Sequence, residues 1–424
     1  MSTSIALKQQ QENPNSGHVG TLTKEQLVLL RTCYTDMFVI YGIIQSDRSQ
    51  NGSFKSSTTQ NKVKNGYKLA GNKHSNGLKS NNDKYNESTE FISAIEMYSP
   101  EDLRKAFWIL TGADDPDILL LRFLRARKWD VEKAVVMLIA TLKWRLQFDV
   151  EEIIKGGELG MEKHFAEKGI KGLKVQFTSG KSFVRGTDNE GRPVTYVNVK
   201  AHKKEEQPLE VLQKYTIYTM ETVRLMVQPP VETGCLLFNM EGFSLANMDL
   251  QYVKFMIQCF EAYYPESLGT LLIHKAPWVF AQVWKIIAPL LDPVVASKIH
   301  FTKTEQDLKN FIPQERLIED LGGKDKWKYK YIPPTVDENY KMNDEITKKE
   351  LIETRTKFEH EFENIIKKWI EDPDNEKIIN ERKQLKVELR KAQLDLDPYI
   401  RSKTYYHRIG IIDDERNVKW NYID

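Results

Sequence analysis

The chain has 424 residues, of which 40% are hydrophobic and 29% are charged, so it is long enough for a substantial core and for more than one structural unit. Its 62 lysines and arginines nearly balance 60 aspartates and glutamates, which leaves a formal net charge of +2. Because nucleic-acid binding depends on neutralising phosphates, this balance argues against a nucleic-acid partner.

The N-terminal part is predicted to hold one helix between two disordered segments, 1–21 and 45–92. The helix is expected within 22–44, where apolar residues recur every three or four positions: Leu27, Leu30, Tyr34, Phe38 and Tyr41. Residues 45–92 are rich in Ser, Asn, Gly and Lys, and such a segment buries too little apolar surface to offset its ordering entropy. Between 47 and 82, seven basic residues stand against one acid, so attraction to anionic lipid is an alternative to a plain solvated linker.

The middle of the chain changes from helical to alternating patterns. Residues 93–160 are predicted to form a helical region, with helices at 101–110 and within 117–148. In 161–332, strand-like runs at 192–199, 234–241, 269–275 and 297–303 alternate with helical stretches at 209–228, 250–264 and 278–291. This alternation predicts an α/β fold with a largely parallel sheet. Residues 333–424 are dense in Glu and Lys and predict a charged helical extension containing a helical hairpin.

Motifs for catalysis and metal binding are absent or incomplete. The chain has no GxxxxGK[ST], GxGxxG or HExxH, and its eight histidines are scattered, so neither a metal nor a cofactor is expected. The segment GFSLA (242–246) is close to the G-x-S-x-G elbow of α/β-hydrolases, and Asp292 and His300 follow in the right order. Because the last glycine of the elbow is missing, Ser244 is interpreted as a turn or N-cap residue. The chain is therefore predicted not to be an enzyme.

Cellular location is indicated by the cysteines and by hydropathy. The three cysteines are far apart and lack CxxC spacing, which predicts reduced thiols in a cytoplasmic protein. The N-terminus lacks the apolar core of a signal peptide, and no uncharged apolar run reaches about 18 residues. If the protein handles lipid, it is expected to do so from the water side.

Five segments occur in one order at domain-scale spacing: LLLRFLRARKWDVEKA (119–134), GRPV (191–194), YYPESLGTLLIHKAP (263–277), LLDPVVASKIHF (290–301) and DLGGK (320–324). Together they resemble the CRAL-TRIO superfamily, specifically its fungal phosphatidylinositol transfer protein branch. The N-terminal helix and LDPYIRSKTYYHRIG (396–410) resemble the long-tailed, chitin-synthesis-rescue type of that branch. The resemblance implies a helical N-terminal cap and a sheet that floors an apolar cavity.

The resemblance further implies a soluble carrier that binds phosphatidylinositol and exchanges it during transient contact with membranes. A hinged gate helix is expected at 278–291, carrying Trp278, Phe280, Val283, Trp284 and Ile287; Trp278, Phe280 and Trp284 are expected to enter the membrane interface. The family's inositol-lipid residues map onto Arg127, Lys128, Glu266 and Lys298. Cationic side chains would offset the charge of the phosphodiester, and a carboxylate would accept hydrogen bonds from inositol hydroxyls.

The family's phosphatidylcholine site is not preserved here. Founding members hold that lipid with a serine and a threonine where this chain has Gly234 and Leu236. Val184 and Thr195 stand where tyrosines would cage the quaternary ammonium. Phosphatidylcholine is therefore not expected to be the exchange lipid, and a less polar second ligand, such as a sterol or a squalene-like hydrocarbon, is favoured.

Three alternatives remain open at this stage. The first is a carrier of a hydrophobic metabolite with little phosphatidylinositol transfer. The second is an α/β-hydrolase acting through Ser244. The third is a scaffold that binds partners through its C-terminal hairpin. A lipid-modifying enzyme is a further candidate partner of a lipid carrier.

Overall fold

The computed structural model describes residues 17–44 and 83–422. The chain divides into two compact units, Met1–Ala140 with Glu361–Val387 and Thr141–His360 with Glu388–Asp424. Most of the segments predicted to be disordered, 1–16 and 45–82, lie outside the described residues. Among the residues described, no helix combines the length and apolarity needed to cross a bilayer.

The first unit is helical. Its helices are α1 (Lys24–Ile40), α2 (Glu87–Met97), α3 (Pro100–Thr111), α4 (Pro116–Ala126) and the first part of α5 (Val131–Phe148). Thr23 caps α1 by accepting a hydrogen bond from the backbone N–H of Gln26, whose side chain accepts from the N–H of Thr23 in return. The face predicted for α1 is the one that packs inward, since Leu30, Tyr34, Phe38 and Tyr41 are all buried.

The predicted linker 45–92 extends too far. Helix α2 begins at Glu87 and buries Phe91 and Ala94, so its first turns fall inside the segment predicted to be disordered. This short amphipathic segment was not predicted, because the polar residues before residue 83 dominate the composition of 45–92. Its acidic first turn, with Glu87 and Glu90, suits the positive end of a helix dipole.

The second unit contains a five-stranded sheet within the described residues. The strands are β1 (Ser182–Thr187), β2 (Pro193–Asn198), β3 (Gly234–Asn239), β4 (Leu268–His274) and β5 (Ile299–Thr302). They lie in the order β1-β2-β3-β4-β5, with β1 antiparallel to β2 and the others parallel. This arrangement confirms the predicted largely parallel sheet. It also contains β1, which was not predicted from the sequence.

The remaining helices belong to the second unit or to the C-terminal extension, of which Glu361–Val387 is part of the first unit. They are α6 (Val150–Glu167), α7 (Leu173–Thr178), α8 (Leu209–Met226), α9 (Leu250–Gln258), α10 (Phe280–Ile287), α11 (Pro293–Ser297), α12 (Glu305–Lys309), α13 (Glu345–Glu371), α14 (Glu376–Ile400) and α15 (Tyr405–Arg408). A single π-helical turn, Cys259–Tyr263, continues α9. Helix α10 passes into a 3₁₀ turn, Ala288–Leu290, at Pro289, as expected where proline removes a backbone donor.

The two faces of the sheet differ in their packing. On one face, Val194, Tyr196, Cys235, Leu237 and Leu272 form a closed core with residues that follow β5, namely Leu308, Ile312, Leu317 and Leu321. The opposite face carries the cavity. A sheet with one closed face gives that cavity a rigid floor.

The C-terminal extension covers the edge strand β1. The N–H of Val184 donates to the hydroxyl of Tyr406 at 2.6 Å, and Arg185 donates to Asp325 at 2.6 and 3.1 Å. Arg185 also donates to the carbonyl of Asn421 at 3.1 Å. Because an uncovered edge strand exposes unpaired backbone groups, the contacts of Tyr406 and Asn421 give the extension a structural role, and Asp325 adds to them from just before it.

Buried His407 makes stability depend on pH. Its Nδ1 accepts a hydrogen bond from the backbone N–H of Thr404 at 3.0 Å, and burial lowers its pKa from 6.5 to about 4. Between these values the unfolded chain binds the extra proton, so stability is lost as the pH falls. Asparagine in place of His407 retains a hydrogen-bond acceptor and does not titrate. Between pH 7 and pH 4.5, we expect the free energy of unfolding of His407→Asn to fall by about 2–3 kcal/mol less than that of the parent.

Urea unfolding at the two pH values measures this difference. His300→Asn, the same substitution at an exposed histidine, is the matched control. An equal loss of stability in His407→Asn and the parent would contradict the role given to His407.

Candidate functional site

A cavity that opens to solvent lies on the second face of the sheet, and the empty space between its walls, including the solvent-filled mouth, is about 1030 Å³. Its floor consists of residues that share a register across the parallel strands. One row runs Leu236, Leu271 and Ile299, and the next runs Val197, Phe238 and Ile273. Because successive side chains of a strand point to opposite faces, the residues of these rows alternate along each strand with those of the closed core and lie on the opposite face of the sheet.

The walls of the cavity are almost entirely apolar. Helix α9 and its π-helical turn contribute Val253, Met256, Ile257 and Phe260, and α10 contributes Phe280, Trp284 and Ile287. All but four of the lining residues are apolar; the four are His202, Asn247, Asp249 and Tyr252. Such a surface offers a hydrocarbon chain an environment similar to a bilayer interior.

Helix α10 occupies the position predicted for the gate, although it begins at Phe280 and not at 278. Phe280, Val283 and Ile287 are buried, and Trp284 is partly buried with its ring 5.1 Å from that of Phe301 in a T-shaped contact. Trp278 is 86% exposed. Of the three aromatic residues expected to enter a membrane, Trp278 therefore faces solvent, whereas Phe280 and Trp284 line the cavity.

Glu266 and Lys298 lie together as an ion pair at 3.3 Å, each side chain about one-fifth exposed. Glu266 occupies the turn before β4 with a φ of 54°, and Lys298 lies between α11 and β5. Neither lines the cavity, but Leu268 and Ile299, close to them in the chain, do. The pair thus lies at the edge of the sheet where β4 and β5 begin.

A buried network holds the turn that carries Glu266. The hydroxyl of Tyr264 donates to Glu221 at 2.9 Å, and Arg145 donates to the same Glu221 oxygen at 2.7 Å. Ser267 donates to the carbonyl of Tyr264 at 2.6 Å, which closes the turn. Although burial opposes ionisation, Arg145 and Arg224 hold the pKa of Glu221 well below its usual range.

Arg127 and Lys128 belong to the first unit. Arg127 ends α4, and its guanidinium pairs with Glu87, with Nε donating to Oε2 at 3.2 Å. Burial raises the pKa of Glu87, while Arg127 opposes that shift. Lys128 follows in the turn, with a φ of 51°. The structure therefore pairs Glu266 with Lys298 and pairs Arg127 with a residue that the sequence analysis had assigned to the linker.

The positions that correspond to the family's phosphatidylcholine site lie in the sheet. Val184, Thr195 and Leu236 are in register on β1, β2 and β3. Leu236 lines the cavity, whereas Val184 packs with residues of the C-terminal extension. The cavity floor at this row therefore presents a hydrocarbon side chain where a hydroxyl was needed.

The residues of the incomplete hydrolase motif have local roles. The hydroxyl of Ser244 contacts Oδ1 of Asn247 at 3.0 Å, and Ser244 begins the 3₁₀ turn Leu245–Asn247, as an N-cap does. Asp292 accepts hydrogen bonds from the first backbone N–H groups of α11, and the ring of His300 lies 5.0 Å from that of Phe311. Within the described residues, no group of His, Cys, Asp or Glu side chains could hold a metal ion.

Comparison with known proteins gives matches over both units. Residues 177–323 match the CRAL/TRIO domain, and residues 83–140 match the CRAL/TRIO, N-terminal domain. The CRAL-TRIO domain-containing protein C3H8.02 of Schizosaccharomyces pombe is 35% identical, over 94% of this chain and 92% of that protein. Phosphatidylinositol transfer protein CSR1 of Eremothecium gossypii is 38% identical, over 93% of this chain and 98% of that protein. The SEC14 cytosolic factor of Kluyveromyces lactis is 31% identical, over 49% of this chain and 70% of that protein.

Proposed function

The chain belongs to the CRAL-TRIO family, and from this premise we propose that it binds phosphatidylinositol in the cavity of its second unit and transfers it between membranes without covalent chemistry. The observation that carries the proposal is the nearly all-apolar cavity beside the Glu266–Lys298 pair. The similarity to a phosphatidylinositol transfer protein of Eremothecium gossypii supports the choice of lipid. The proposed place of action is the cytosolic face of membranes.

The energetics of such a carrier are close to balanced. Removing two acyl chains of about thirty methylenes from water is worth about 25 kcal/mol, at about 0.8 kcal/mol each. A bilayer offers the chains nearly the same free energy, so exchange between protein and membrane costs little overall. The protein must provide a path on which the chains never meet water.

The headgroup needs polar partners at the edge of the cavity. In this proposal Lys298 offsets the phosphodiester charge and Glu266 accepts hydrogen bonds from inositol hydroxyls. Their mutual contact holds both side chains in place and partly screens them when no lipid is bound. Arg127 and Lys128 remain proposed headgroup residues, and Arg127 would have to exchange its bond to Glu87 for one to the lipid.

Helix α10 is the proposed gate, because its inner residues line the cavity while its outer side meets solvent. Ile286 on α10 is 56% exposed and Trp278, two residues before the helix, is 86% exposed, an arrangement that suits contact with a membrane surface. We expect Trp278→Glu combined with Ile286→Glu to slow transfer by about tenfold or more, because carboxylates oppose insertion into lipid. The melting temperature should stay close to that of the parent.

Vesicle transfer rate and melting temperature, measured on the same preparation, check this prediction. Val336→Glu is the matched control, since Val336 is also 86% exposed but lies outside α10 and the cavity. Transfer at the parent rate in the double variant would show that α10 does not meet the membrane.

Phosphatidylcholine transfer is expected to be weak in the parent protein, because the register row at Leu236 offers the phosphocholine group too few hydroxyl donors. Gly234→Ser with Leu236→Thr should raise it only partly, since Val184 and Thr195 cannot form a cage around the ammonium group. A Cβ at Gly234 would meet Val223 at 3.5 Å, an ordinary contact, so the change fits sterically. Transfer of labelled phosphatidylcholine by the parent at the phosphatidylinositol rate would contradict this.

Native mass spectrometry of the purified protein tests the proposed function against its main alternative. One bound phosphatidylinositol, identified by mass after exposure to mixed-lipid vesicles, is the expected result. A sterol or a hydrocarbon in its place, with no phosphatidylinositol taken up, would favour the carrier of a hydrophobic metabolite. Covalent labelling of Ser244 by a serine-reactive probe would instead favour the hydrolase.

A further inference from the structure

The four polar residues of the cavity wall gather at one end of it. His202 follows the carboxyl end of β2, and Asn247, Asp249 and Tyr252 follow that of β3. We call these four residues the polar end. Because β2 to β5 are parallel, the polar end lies at the edge of the sheet opposite to Glu266 and Lys298, about 20 Å away for strands of this length. The polar residues that line the cavity therefore lie at the end remote from the Glu266–Lys298 pair.

Two members of the polar end already have partners. The amide nitrogen of Asn247 donates to the carbonyl of His202 at 2.8 Å, and its oxygen accepts from Ser244. The hydroxyl of Tyr252 lies 2.8 Å from that of Thr216. These contacts fix the shape of the cavity wall. They leave His202 and Asp249 as the groups that can meet a ligand.

His202 has unused hydrogen-bonding capacity. Within the described residues its Nε2 is buried and has no hydrogen-bond partner in the protein, which is unfavourable for a polar group out of water. The ring lies 6.0 Å from that of Tyr252, with an angle of 29° between the two ring planes. Burial, assisted by nearby Lys181, lowers the pKa of His202, so the ring is neutral at pH 7 and offers one donor and one acceptor.

Asp249 supplies an acceptor beside this ring. Its Oδ1 caps α9 by accepting from the N–H of Tyr252 at 3.1 Å, and the side chain is buried and lines the cavity. A carboxylate accepts several hydrogen bonds at once, so Asp249 can accept a further hydrogen bond while it caps α9. An imidazole and a carboxylate in an apolar wall match a group that both donates and accepts, and that carries no negative charge of its own.

We propose that His202 and Asp249 form a subsite for the hydroxyl of an uncharged lipid alcohol, a second ligand whose hydrocarbon body occupies the cavity. The inference rests on the proposed function only in requiring that the cavity bind lipid. The hydroxyl would donate to Asp249 and pair with Nε2 of His202. A pure hydrocarbon would leave both groups unpaired, and a fatty-acid carboxylate would face the charge of Asp249.

The experiment uses the full chain and two fluorescent steroid polyenes that differ only in the 3-hydroxyl, dehydroergosterol and its 3-deoxy analogue. We expect the hydroxylated probe to bind at least about tenfold more tightly, since each 1.4 kcal/mol of hydrogen bonding is a factor of ten. His202→Phe, which keeps an aromatic ring beside Tyr252, should lower the ratio severalfold, because only Asp249 then remains to pair with the hydroxyl. His300→Phe, outside the cavity lining, is the matched control and should keep the parent ratio.

Equal affinity of the parent for both probes, or an unchanged ratio in His202→Phe, would overturn the subsite. If His202→Phe does not fold, Asp249→Asn, which keeps the capping oxygen, should lower the ratio severalfold, and an unchanged ratio there overturns the subsite as well. Displacement of the probe by diacylglycerol in preference to ergosterol would support the same chemistry with a different alcohol. Phosphatidylinositol transfer by the parent, measured in parallel, reports on the proposed function alone.

Discussion

Replacing both Glu266 and Lys298 with alanine is expected to lower the affinity for phosphatidylinositol by about a hundredfold or more. Each residue would make a charge-assisted contact with the headgroup, and each such contact is worth about 1.5–3 kcal/mol. The fold should persist, because the two side chains are partly exposed and an ion pair of this kind adds at most about 1 kcal/mol to stability. Equilibrium loading from vesicles, followed by native mass spectrometry, measures the loss.

A second ion pair of the same unit provides the control. Lys168 and Glu210 lie 3.1 Å apart on the surface, away from the cavity lining, and their double replacement with alanine should leave loading as in the parent. Parent-level loading in the Glu266–Lys298 variant would show that the headgroup lies elsewhere. The proposed residues Arg127 and Lys128 would then be the next to replace.

Glu221→Leu is expected to destabilise the protein by about 3–5 kcal/mol. The side chain of Arg145 is only 4% exposed, and losing Glu221 leaves its buried guanidinium with a single carboxylate partner, the 38% exposed Glu151 at 2.7 Å. The hydroxyl of Tyr264 loses its acceptor at the same time, which loosens the turn that carries Glu266. Lipid affinity should therefore fall together with stability.

Urea unfolding at pH 7 measures this change, with Glu210→Leu as the exposed counterpart. Glu210 is 42% exposed in its pair with Lys168, so its replacement should cost less than about 1 kcal/mol. A free energy of unfolding for Glu221→Leu within about 0.5 kcal/mol of the parent would contradict the role of the network.

Much of the fold follows from local patterns. The parallel strands β3 and β4 face the closed core on one side and the apolar cavity on the other, so each is a continuous apolar run that could be recognised in the sequence. Strand β1 was missed because it carries Arg185 and Gly186, and its burial depends on Asp325 and on the C-terminal segment. Such distant partners leave no local signal.

The candidate site was predicted in part. The family motifs indicated Glu266 and Lys298, and the structure places them in one ion pair. The inward and outward sides of α10 could not be assigned from a helix that is apolar nearly all round. His202 and Asp249 were missed because they lie in separate loops that meet only when parallel strands end at the same edge of the sheet.

Transfer of labelled phosphatidylinositol between two vesicle populations by the purified full-length chain is the most direct measurement of the central claim. The account predicts transfer that depends on protein concentration, far above spontaneous exchange, and that falls in the Glu266→Ala, Lys298→Ala variant but not in the Lys168→Ala, Glu210→Ala control. Transfer no faster than spontaneous exchange, from a folded protein that binds both vesicle populations, would contradict it.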